Sequence, residues 1–580
     1  TYLGKVKMIY IDPPYNTGND FVYNDDFAKG KDKFEQTSGF FDEEGNQTVD
    51  PMQRNMESNG RFHTDWLNMM YPRLKVARDL LTDDGVIFIS IDDNEIENLR
   101  KVCNEIFGEN NFVVEIPWQS RASIQNDTDF SINHEYICVF SKKRRQENRR
   151  LKESNYREWF KNDSFVCRPL PLDKSKFDNP DNDPRGLWKA DPFDAPNIRP
   201  NLTYPIVNPL TGEKHLPPRG RHWRTDSYQF ANALNDNRIL FGKDGCGRPQ
   251  LKVFYYEKKD FGSIDNSWFS ADRIGTTTNG TKEVMNLFKG HKFFDMPKPV
   301  SLLQKLLYIG NVKHTDIILD FFSGSSTTAH AVMQFNIEYK ENCKFIMVQI
   351  PEPTNEKSEA YKAGYKNICE IGKERIRRAG KKIVEDLKNE IDTKERLLDR
   401  ILNAEPSATV KILPIEEQKE IAKKVYEEKA VPLMKEIDEI KERIEKLDTG
   451  FRVFKLDTSN MEDVYYTPQE FDEQKLFTDN VKADRTNEDL LFQVMLDLGI
   501  ELSAKIEVKE IAGKTVHIVD ENYLVACFDE DVNETTIKEI AKLKPVYFVM
   551  RDASAANDNV IDNFEQIFRH YSPETTCRIL

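Results

Sequence analysis

The sequence predicts an α/β fold in which helices cover a doubly wound sheet. Short apolar runs, each closed by a polar turn, alternate with segments whose apolar residues recur at helical spacing. The clearest apolar runs lie at residues 6–11, 86–91 and 344–350. Strands that alternate with helices form parallel sheets, and their ligands lie beyond the carboxyl ends of the strands. We therefore expect the functional residues at those strand ends.

The predicted elements follow one another from the first residues onward. The strand at 6–11 ends at two prolines, which cannot donate to a ladder and prevent a helix from starting. Residues 19–60 are polar and rich in glycine and asparagine, so we interpret them as a long loop. Helices are predicted at 66–81, 94–107, 300–307 and 327–333, and further strands at 86–91, 112–117, 136–140, 316–322 and 344–350.

Changes in composition divide the chain into five segments. Residues 145–290 lose periodicity and are rich in proline, glycine and asparagine, which predicts an irregular domain inserted between two core halves, 1–144 and 291–380. Residues 381–450 hold helical runs at 381–402 and 431–447, which predict an antiparallel helical arm. Residues 451–580 predict a small acidic α/β module with helices from about 487 and 534 and strands at 515–519, 524–528 and 546–550.

Composition excludes several classes of protein. Hydrophobic residues make up 39% and charged residues 31%, which is typical of a globular chain. The sequence has neither a run of about 18 apolar residues, as a membrane span requires, nor a secretory signal at its start. The eight cysteines are scattered without paired spacing, which argues against a zinc ribbon or a disulfide scaffold. We expect a cytoplasmic protein without a bound metal.

The net charge of −15 does not exclude a nucleic acid as partner, because the charge is unevenly distributed. Residues 451–580 carry 14 basic and 26 acidic side chains, so the remaining residues carry 69 and 72. Residues 141–152 contain seven basic residues and one acidic residue. A local basic face of this kind can bind phosphates even though the whole chain is acidic.

Asp12, Pro13, Pro14 and Tyr15 form the first motif that carries chemistry. A carboxylate and backbone carbonyls at a rigid strand end can accept both hydrogens of an exocyclic amino group. The neighbouring tyrosine offers a flat face on which a heterocycle can stack. A bare Asp-Pro-Pro triplet is more often an ordinary turn, but the complete string with its strand and the following Asn-Thr-Gly favours a functional site.

The second motif is the turn at 320–328, where a predicted strand runs through small residues into a helix. Such a turn lets the backbone approach a polar or anionic ligand at the helix N-terminus. Taken alone it fits equally well a tight turn with a Ser/Thr helix cap.

Together these motifs resemble those of S-adenosylmethionine-dependent DNA amino-methyltransferases. Residues 12–15 match the DPPY catalytic motif, residues 322–326 resemble the FxGxG cofactor loop, and residues 294–299 resemble the motif that precedes this loop. The order of the motifs is that of the β class. The strings at 9–25, 83–95, 280–284 and 563–568 resemble more closely the modification (Mod) subunits of type III restriction–modification systems. The resemblance implies a Rossmann-like doubly wound methyltransferase sheet with an inserted target-recognition domain.

The resemblance also implies roles for individual residues. Asp12 and the Pro13 carbonyl would hold the target amino group, next to Pro14, and Tyr15 would stack on a flipped base. Aspartate at the first position favours adenine N6, and cytosine N4 is the alternative. The residues expected to bind S-adenosylmethionine are Asp320, Phe322, Ser323, Gly324, Ser325, Lys298, Pro299 and Glu352. Two positions depart from the family pattern, because Ser326 replaces the second glycine of the loop and Gln349 occupies one expected acidic position.

Further implications concern DNA and partner proteins. The insert would be the target-recognition domain, and the candidate DNA contacts are Arg121, Lys142, Arg144, Arg221 and Arg224. Most exposed arginines are simply solvated, which is the simpler interpretation of each one. Mod subunits form homodimers and pair with a restriction (Res) subunit that hydrolyses ATP and cuts DNA. They also carry a longer amino-terminal segment, so we expect residues before Thr1 in the full protein.

Two other classes of function compete with this interpretation. Residues 275–282, GTTTNGTK, nearly fit a phosphate-binding loop and would favour a nucleotide hydrolase, but Thr281 stands where the lysine is required. A non-catalytic DNA-binding or specificity scaffold would explain the helical arm and the acidic module. The intact string at 12–15 argues against it.

Overall fold

The computed structural model describes residues 1–18, 21–23, 52–54, 60–124, 129–143, 167–242, 244–259, 262–405, 410, 412–462, 481–556 and 558–580. These residues form two compact units. The larger unit contains Lys7–Tyr15 and Leu81–Asp448, and the other contains Thr1–Val6, Asn16–Leu80 and Thr449–Leu580. None of the described helices is both long and apolar enough to cross a membrane.

The elements up to residue 143 reproduce the predicted alternation. They are β1 (Val6–Ile11), β2 (Phe21–Tyr23), β3 (Met52–Arg54), α1 (Phe62–Leu80), β4 (Leu81–Ile91), α2 (Ile96–Phe107), β5 (Phe112–Trp118) and β6 (Glu135–Ser141). Both helices predicted in this part are confirmed. Residues 24–51 and 55–59 of the predicted loop lie outside the described residues.

The insert consists of short elements, as its composition predicts. They are β7 (Trp188–Pro192), β8 (Asp194–Pro196), β9 (Ile206–Val207), β10 (Lys214–His215), β11 (Arg221–Trp223), α3 (Ser227–Asn235), β12 (Ile239–Phe241), β13 (Pro249–Phe254), α4 (Tyr255–Lys258), α5 (Ala271–Ile274) and α6 (Thr277–Leu287). The strands form small sheets, one of which has the order β12-β13-β7. Aromatic residues such as Phe193, Trp223 and Phe230 form a separate small core beneath them.

The chain then returns to long regular elements. They are α7 (Val300–Ile309), β14 (Ile317–Asp320), α8 (Thr327–Tyr339), β15 (Lys344–Met347), α9 (Glu359–Lys362), α10 (Ile368–Leu402), α11 (Ile415–Val425) and α12 (Val431–Lys446). A π-helical turn at Tyr426–Ala430 joins α11 to α12. Strand β15 is shorter than predicted, because the backbone leaves the ladder after Met347.

The central sheet of the larger unit has six strands in the order β15-β14-β1-β4-β6-β5. Strands β14 and β15 pair in parallel, whereas β6 runs antiparallel to both of its neighbours, β4 and β5. The expectation of an all-parallel sheet is therefore wrong, and the sheet is mixed. A parallel pair needs a crossover connection, usually a helix, but consecutive antiparallel strands such as β5 and β6 do not. Buried side chains including Met8, Phe88 and Leu303 pack in the core of this unit.

The segment predicted to be a helical arm contains two helices that pack against each other, α10 and α12. Helix α10 begins at Ile368, before the predicted start at 381, and passes position 380 without a break. Its buried residues Ile383, Leu387 and Ile391 and those of α12 lie on the contacting faces, and exposed ion pairs such as Lys394–Glu436 (2.7 Å) join the helices. Exposed pairs add little stability, so apolar packing holds the arm.

The acidic module is a second, smaller α/β structure. Its elements are α13 (Asn487–Asp497), β16 (Ile506–Ile511), β17 (Lys514–Val519), β18 (Leu524–Cys527), α14 (Glu534–Ala541), β19 (Tyr547–Met550), α15 (Asp558–Tyr571) and β20 (Thr576–Ile579). The sheet order is β16-β17-β18-β19-β20. Strands β16 and β20 and helix α15 were not predicted from the sequence. Strand β16 has an exposed polar centre, which gives no apolar run.

Candidate active site

The end of β1 places a carboxylate and a tyrosine hydroxyl next to a lysine from a distant part of the chain. All six residues of β1 are buried, and the two prolines hold the following backbone extended. Lys298 Nζ lies 2.9 Å from both oxygens of Asp12 and 2.8 Å from the hydroxyl oxygen of Tyr15. The Tyr15 hydroxyl lies 3.0 Å from Asp12 Oδ1. The predicted catalytic motif therefore meets Lys298, which sequence analysis had assigned to the cofactor.

Lys298 is held by the short helix α6. Gly280 of α6 packs so closely that a Cβ atom there would lie 2.1 Å from the Pro297 carbonyl oxygen and 2.8 Å from the Lys298 carbonyl carbon. Glu283 of the same helix accepts a hydrogen bond from the Val300 backbone nitrogen (2.9 Å), at the start of α7. The backbone on both sides of Lys298 is thus fixed.

These contacts also explain residues 275–282, which nearly fitted a phosphate-binding loop. Thr276 caps α6 together with Asn279, whose Oδ1 accepts from the Thr276 backbone nitrogen (2.9 Å) and hydroxyl (2.8 Å). Gly280 serves the close approach to Lys298. The glycines and threonines have a helix-capping and packing role here, so the structure does not support the nucleotide-hydrolase alternative.

Glu135 completes the group and was not identified from the sequence. It begins β6, and its Oε2 lies 3.0 Å from the Tyr15 hydroxyl and 3.3 Å from Lys298 Nζ. The side chain is 17% exposed, compared with 7% for Lys298. We call Asp12, Tyr15, Glu135 and Lys298 the carboxylate–lysine cluster.

Burial and charge set the protonation of this cluster. Burial raises the pKa of Asp12, although the Lys298 ammonium opposes it. Burial also acts on Glu135, but Lys298 and the Tyr15 hydroxyl outweigh it, so the pKa of Glu135 is lowered. Burial would lower the pKa of Lys298, yet the charges of Asp12 and Glu135 raise it. The lysine is therefore charged, and the two carboxyl groups have pKa values shifted in opposite directions.

The turn after β14 is the second predicted motif, and it surrounds a buried carboxylate. Asp320 is 3% exposed and accepts hydrogen bonds from the Phe322 backbone nitrogen (3.1 Å) and the Thr328 hydroxyl (2.6 Å). Burial raises the pKa of Asp320 to about 7. Ser323, Ser325 and Ser326 are buried around it.

Gly324 lies where a side chain has no room. It has φ +48, and a Cβ atom would lie 3.1 Å from the ring of Phe294. Its backbone nitrogen donates to Gln349 Oε1 (2.7 Å), and Gln349 Nε2 contacts Glu352 Oε1 at 3.5 Å. Hydrogen bonds thus link the turn after β14 to Gln349 and, through Gln349, to Glu352. These are the two positions considered for the acidic residue of the cofactor site.

Arg375 of α10 was also missed and stabilises the same turn. Its Nη1 donates to the hydroxyls of Ser325 (2.7 Å) and Thr327 (2.6 Å), while Nε and Nη2 have no hydrogen-bond partner in the described part of the chain. Ser326, in place of the second motif glycine, adopts φ 61, a conformation that glycine adopts more readily. A sequence signal existed, because Arg375 interrupts the buried i, i+4 series Ile371, Ala379 and Ile383.

The two turns lie at neighbouring positions of the sheet. Strands β1 and β14 are adjacent, and Asp12 and Asp320 stand at their ends. The charge of Asp12 contributes to the raised pKa of Asp320, which shows that the two carboxyl groups are close enough to interact. The arrangement can present hydrogen-bond acceptors to an amino group beside a turn suited to a polar ligand.

The residues expected to contact DNA have varied surroundings. Arg221 pairs with Asp194, and Arg224 lies 3.8 Å from Asp191, so both have acidic neighbours inside the insert. Lys142 donates to the Leu81 carbonyl oxygen (2.6 Å), and the side chain of Arg121 is exposed. Arg144 lies outside the described residues. The geometry brings none of the four described residues into the carboxylate–lysine cluster.

The chain is similar to several restriction-modification and methyltransferase proteins. The chain is 38% identical over 390 residues to the type III restriction-modification enzyme StyLTI Mod subunit of Salmonella typhimurium. The matched region covers 66% of this chain and 54% of that protein. It is 34% identical over 411 residues to the EcoP15I Mod subunit of Escherichia coli, covering 66% and 60%. It is 28% identical over 387 residues to the type II methyltransferase M.KpnI of Klebsiella pneumoniae, covering 63% and 80%.

The chain spans between half and three fifths of the length of these two Mod subunits. The family model N6_N4_Mtase, described as DNA methylase, matches residues 6–354. This match includes both predicted motifs, the insert and all four residues of the carboxylate–lysine cluster. The chain belongs to this family of DNA methylases.

Proposed function

We propose that this protein transfers a methyl group from S-adenosylmethionine to N6 of an adenine in duplex DNA, as the Mod subunit of a type III restriction–modification system. One observation carries the proposal: Asp12, Tyr15 and Lys298 converge at the end of β1, next to the glycine-containing turn that follows β14. The relatives named as type III Mod subunits support the assignment to such a system, and aspartate at the first position of the motif favours adenine.

Asp12 is suited to hold the amino group of the target base. One carboxylate oxygen and the Pro13 carbonyl can each accept one amino hydrogen, which directs the nitrogen lone pair outward. Tyr15 would lie against the face of the base, and Pro14 keeps the segment rigid. Because the adenine amino group is paired inside the duplex, the base must be flipped out to reach this site.

The turn after β14 fits S-adenosylmethionine as methyl donor. Gly324 lets the backbone turn at φ +48 close to the Phe294 ring, and Phe322, Ser323 and Ser325 line the turn next to the buried Asp320. Glu352, linked to Gly324 through Gln349, would accept hydrogen bonds from ribose hydroxyls. Pro299 precedes α7 and, with Lys298, would close the side of the pocket nearest Asp12.

The reaction needs no covalent enzyme intermediate. The bound donor supplies an electrophilic methyl group on a sulfonium. The adenine nitrogen forms the new bond to carbon while the carbon–sulfur bond breaks and its electrons remain on sulfur. The nitrogen then loses one proton, which the Asp12 carboxylate can accept and pass to solvent. Positioning and the charges of the cluster provide the rate enhancement.

The remaining assignments complete the proposal. Residues 145–290 would be the target-recognition domain between core halves 1–144 and 291–380. The described arginines and lysine, Arg121, Lys142, Arg221 and Arg224, would contact DNA, as would Arg144. The helical arm at 381–450 and the module at 451–580 would contact a second Mod copy or a Res subunit. If deletion of residues 451–580 left the assembly of the protein unchanged, the assignment of this module to an interface would be contradicted. The protein would act in the cytoplasm.

Methyl transfer is the direct test. Radiolabelled S-adenosylmethionine and unmethylated duplex DNA are incubated with the wild type and with Asp12→Ala, and the modified base is identified. We expect N6-methyladenine with the wild type and none with the variant. N4-methylcytosine would contradict adenine specificity, and absence of transfer by the full-length wild type would favour the non-catalytic scaffold.

A further inference from the structure

Glu135 is a carboxylate with a 17% exposed side chain that the catalytic motif does not include. It stands opposite Trp118 in the pairing of β5 with β6, and its side chain faces the Tyr15 hydroxyl and the Lys298 ammonium. Lys298 Nζ also lies 5.9 Å from the centre of the Trp118 ring. The carboxylates of Asp12 and Glu135 therefore share the Lys298 ammonium in a site that excludes most water. A carboxylate or ammonium in such a site destabilises the fold if it has no partner of opposite charge.

The Tyr15 hydroxyl can donate only one hydrogen bond. It lies 3.0 Å from Asp12 Oδ1 and 3.0 Å from Glu135 Oε2, while Lys298 donates to its oxygen. If the proton points to Glu135, Asp12 Oδ1 keeps a lone pair for an incoming amino group. Without Glu135, the proton can point only to Asp12, and the carboxylate loses that acceptor capacity.

We propose that Glu135 is a positioning residue for methyl transfer: it takes the Tyr15 hydrogen bond and shares Lys298, so that Asp12 remains an available acceptor. The inference deepens the proposed function and depends on it. Glu135 does not touch the reacting atoms and acts through Tyr15, Lys298 and Asp12.

The charges around Glu135 agree with this role. The groups that face it are Asp12, Tyr15, Lys298, Ser120, Tyr10 and Asp92. The negative charge of Glu135 raises the pKa of Asp12, whereas Lys298 lowers it. Replacing Glu135 by a neutral group would remove its contribution, which raises the pKa of Asp12, while the lowering contribution of Lys298 would remain. Asp12 would then bind a proton less readily, at the step where the methylated nitrogen must lose one.

The experiment compares Glu135→Gln with Glu135→Asp and with Glu115→Gln. Glu115 is the matched control, because it lies on β5 and pairs with Arg100 at 2.7 Å. We measure kcat and the KM for each substrate between pH 5 and 9, in the full chain. We expect Glu135→Gln to lower kcat by roughly tenfold or more with both KM values within about threefold of wild type. The acid limb of its pH profile should move to lower pH, and Glu135→Asp should restore part of the rate.

A second measurement compares single and double variants of Glu135 and Tyr15, so it does not depend on Glu135→Gln alone. The effect of Glu135→Gln should be smaller in a Tyr15→Phe background, since Tyr15→Phe removes the hydroxyl through which Glu135 is coupled to Asp12. Unchanged kcat and pH profile in Glu135→Gln, or an equal loss in Glu115→Gln, would overturn the inference. Absence of methyl transfer by the wild type would instead reject the proposed function.

Discussion

Lys298 Nζ lies 2.9 Å from the Asp12 carboxylate although 286 positions separate the two residues in the sequence. The contact joins two segments that residues 145–290 separate in the sequence. It also balances the Asp12 carboxylate, whose side chain is 29% exposed, so the same contact serves stability and chemistry.

Replacing Lys298 by methionine should leave Asp12 and Glu135 as neighbouring buried carboxylates without a cation. Loss of a buried ion-pair partner costs about 3 kcal/mol of folding free energy. The pKa of Asp12 should rise further, because burial and Glu135 remain. If ionised Asp12 is the active form, the acid limb of kcat should move to higher pH by about one unit or more.

This result is measured by denaturant unfolding and by a pH–rate profile. The matched control is Lys305→Met on α7, which breaks an ion pair with Asp265 (2.6 Å) in which each side chain is 14% exposed. A stability loss without a shift of the pH profile would show that Lys298 does not act on the protonation of Asp12.

Alanine at Gly280 should disturb the site without removing any polar group. The added Cβ would lie 2.1 Å from the Pro297 carbonyl oxygen, so the backbone at Lys298 must move. Overpacking of this kind costs about 1–3 kcal/mol, and we expect methyl transfer to fall by more than the loss of folded protein explains. Gly60→Ala is the control, because a Cβ atom added there would meet no atom of the described residues within 4 Å other than those of its chain neighbours. Equal specific activity of both variants would contradict the close-packing role.

Replacement of Arg375 should weaken the binding of S-adenosylmethionine more than the binding of DNA. In Arg375→Met the hydroxyls of Ser325 and Thr327 lose their common donor, and the turn that follows β14 loses two hydrogen bonds. Each bond to a charged group contributes about 1.5–3 kcal/mol. We expect weaker binding of S-adenosylmethionine by calorimetry and nearly unchanged DNA affinity. Arg377→Met, at a half-exposed position two residues away, serves as control. Equal donor affinity in Arg375→Met and wild type would refute the role.

His330 should make the protein sensitive to acid. Burial lowers the pKa of His330 to about 3 from a usual value of 6.5. The unfolded chain therefore binds more protons between these values, so stability is lost as pH falls from about 6.5 towards 3. His330→Leu should flatten this part of the stability curve, measured as Tm between pH 4 and 7. His314→Leu, at a position 80% exposed, should leave the curve unchanged, and an identical slope in both variants would exclude His330 as the cause.

Asp320 should have the opposite pH dependence. Its pKa is raised by burial to about 7 from 3.8, so the folded protein binds more protons between these values. Stability should therefore fall as pH rises from about 4 to 7, by an amount on the order of a few kcal/mol. Asp320→Asn should remove this fall, whereas Asp520→Asn, an exposed control in the acidic module, should retain it. The comparison requires unfolding curves across this pH range.

Some features of the protein follow from local sequence alone. The apolar run at Val6–Ile11 and the prolines after Asp12 determine a buried strand with a rigid end, because the side chains and the missing backbone donors act locally. The small residues at 323–326 likewise determine a turn before a helix. The helical spacing of the arm predicts two helices, although α10 begins earlier, where a buried arginine interrupts the apolar pattern.

Glu135 could not be found from the sequence, and the reason is the direction of a strand. A residue that precedes a parallel strand lies at the edge opposite the functional turns. Strand β6 runs antiparallel to β4, so its first residue lies at the edge where Asp12 stands. Local patterns of residues specify the two motifs and the elements that carry them. They do not specify that Lys298 and Glu135 share the Asp12 site, because contacts between residues far apart in the chain depend on strand order and direction.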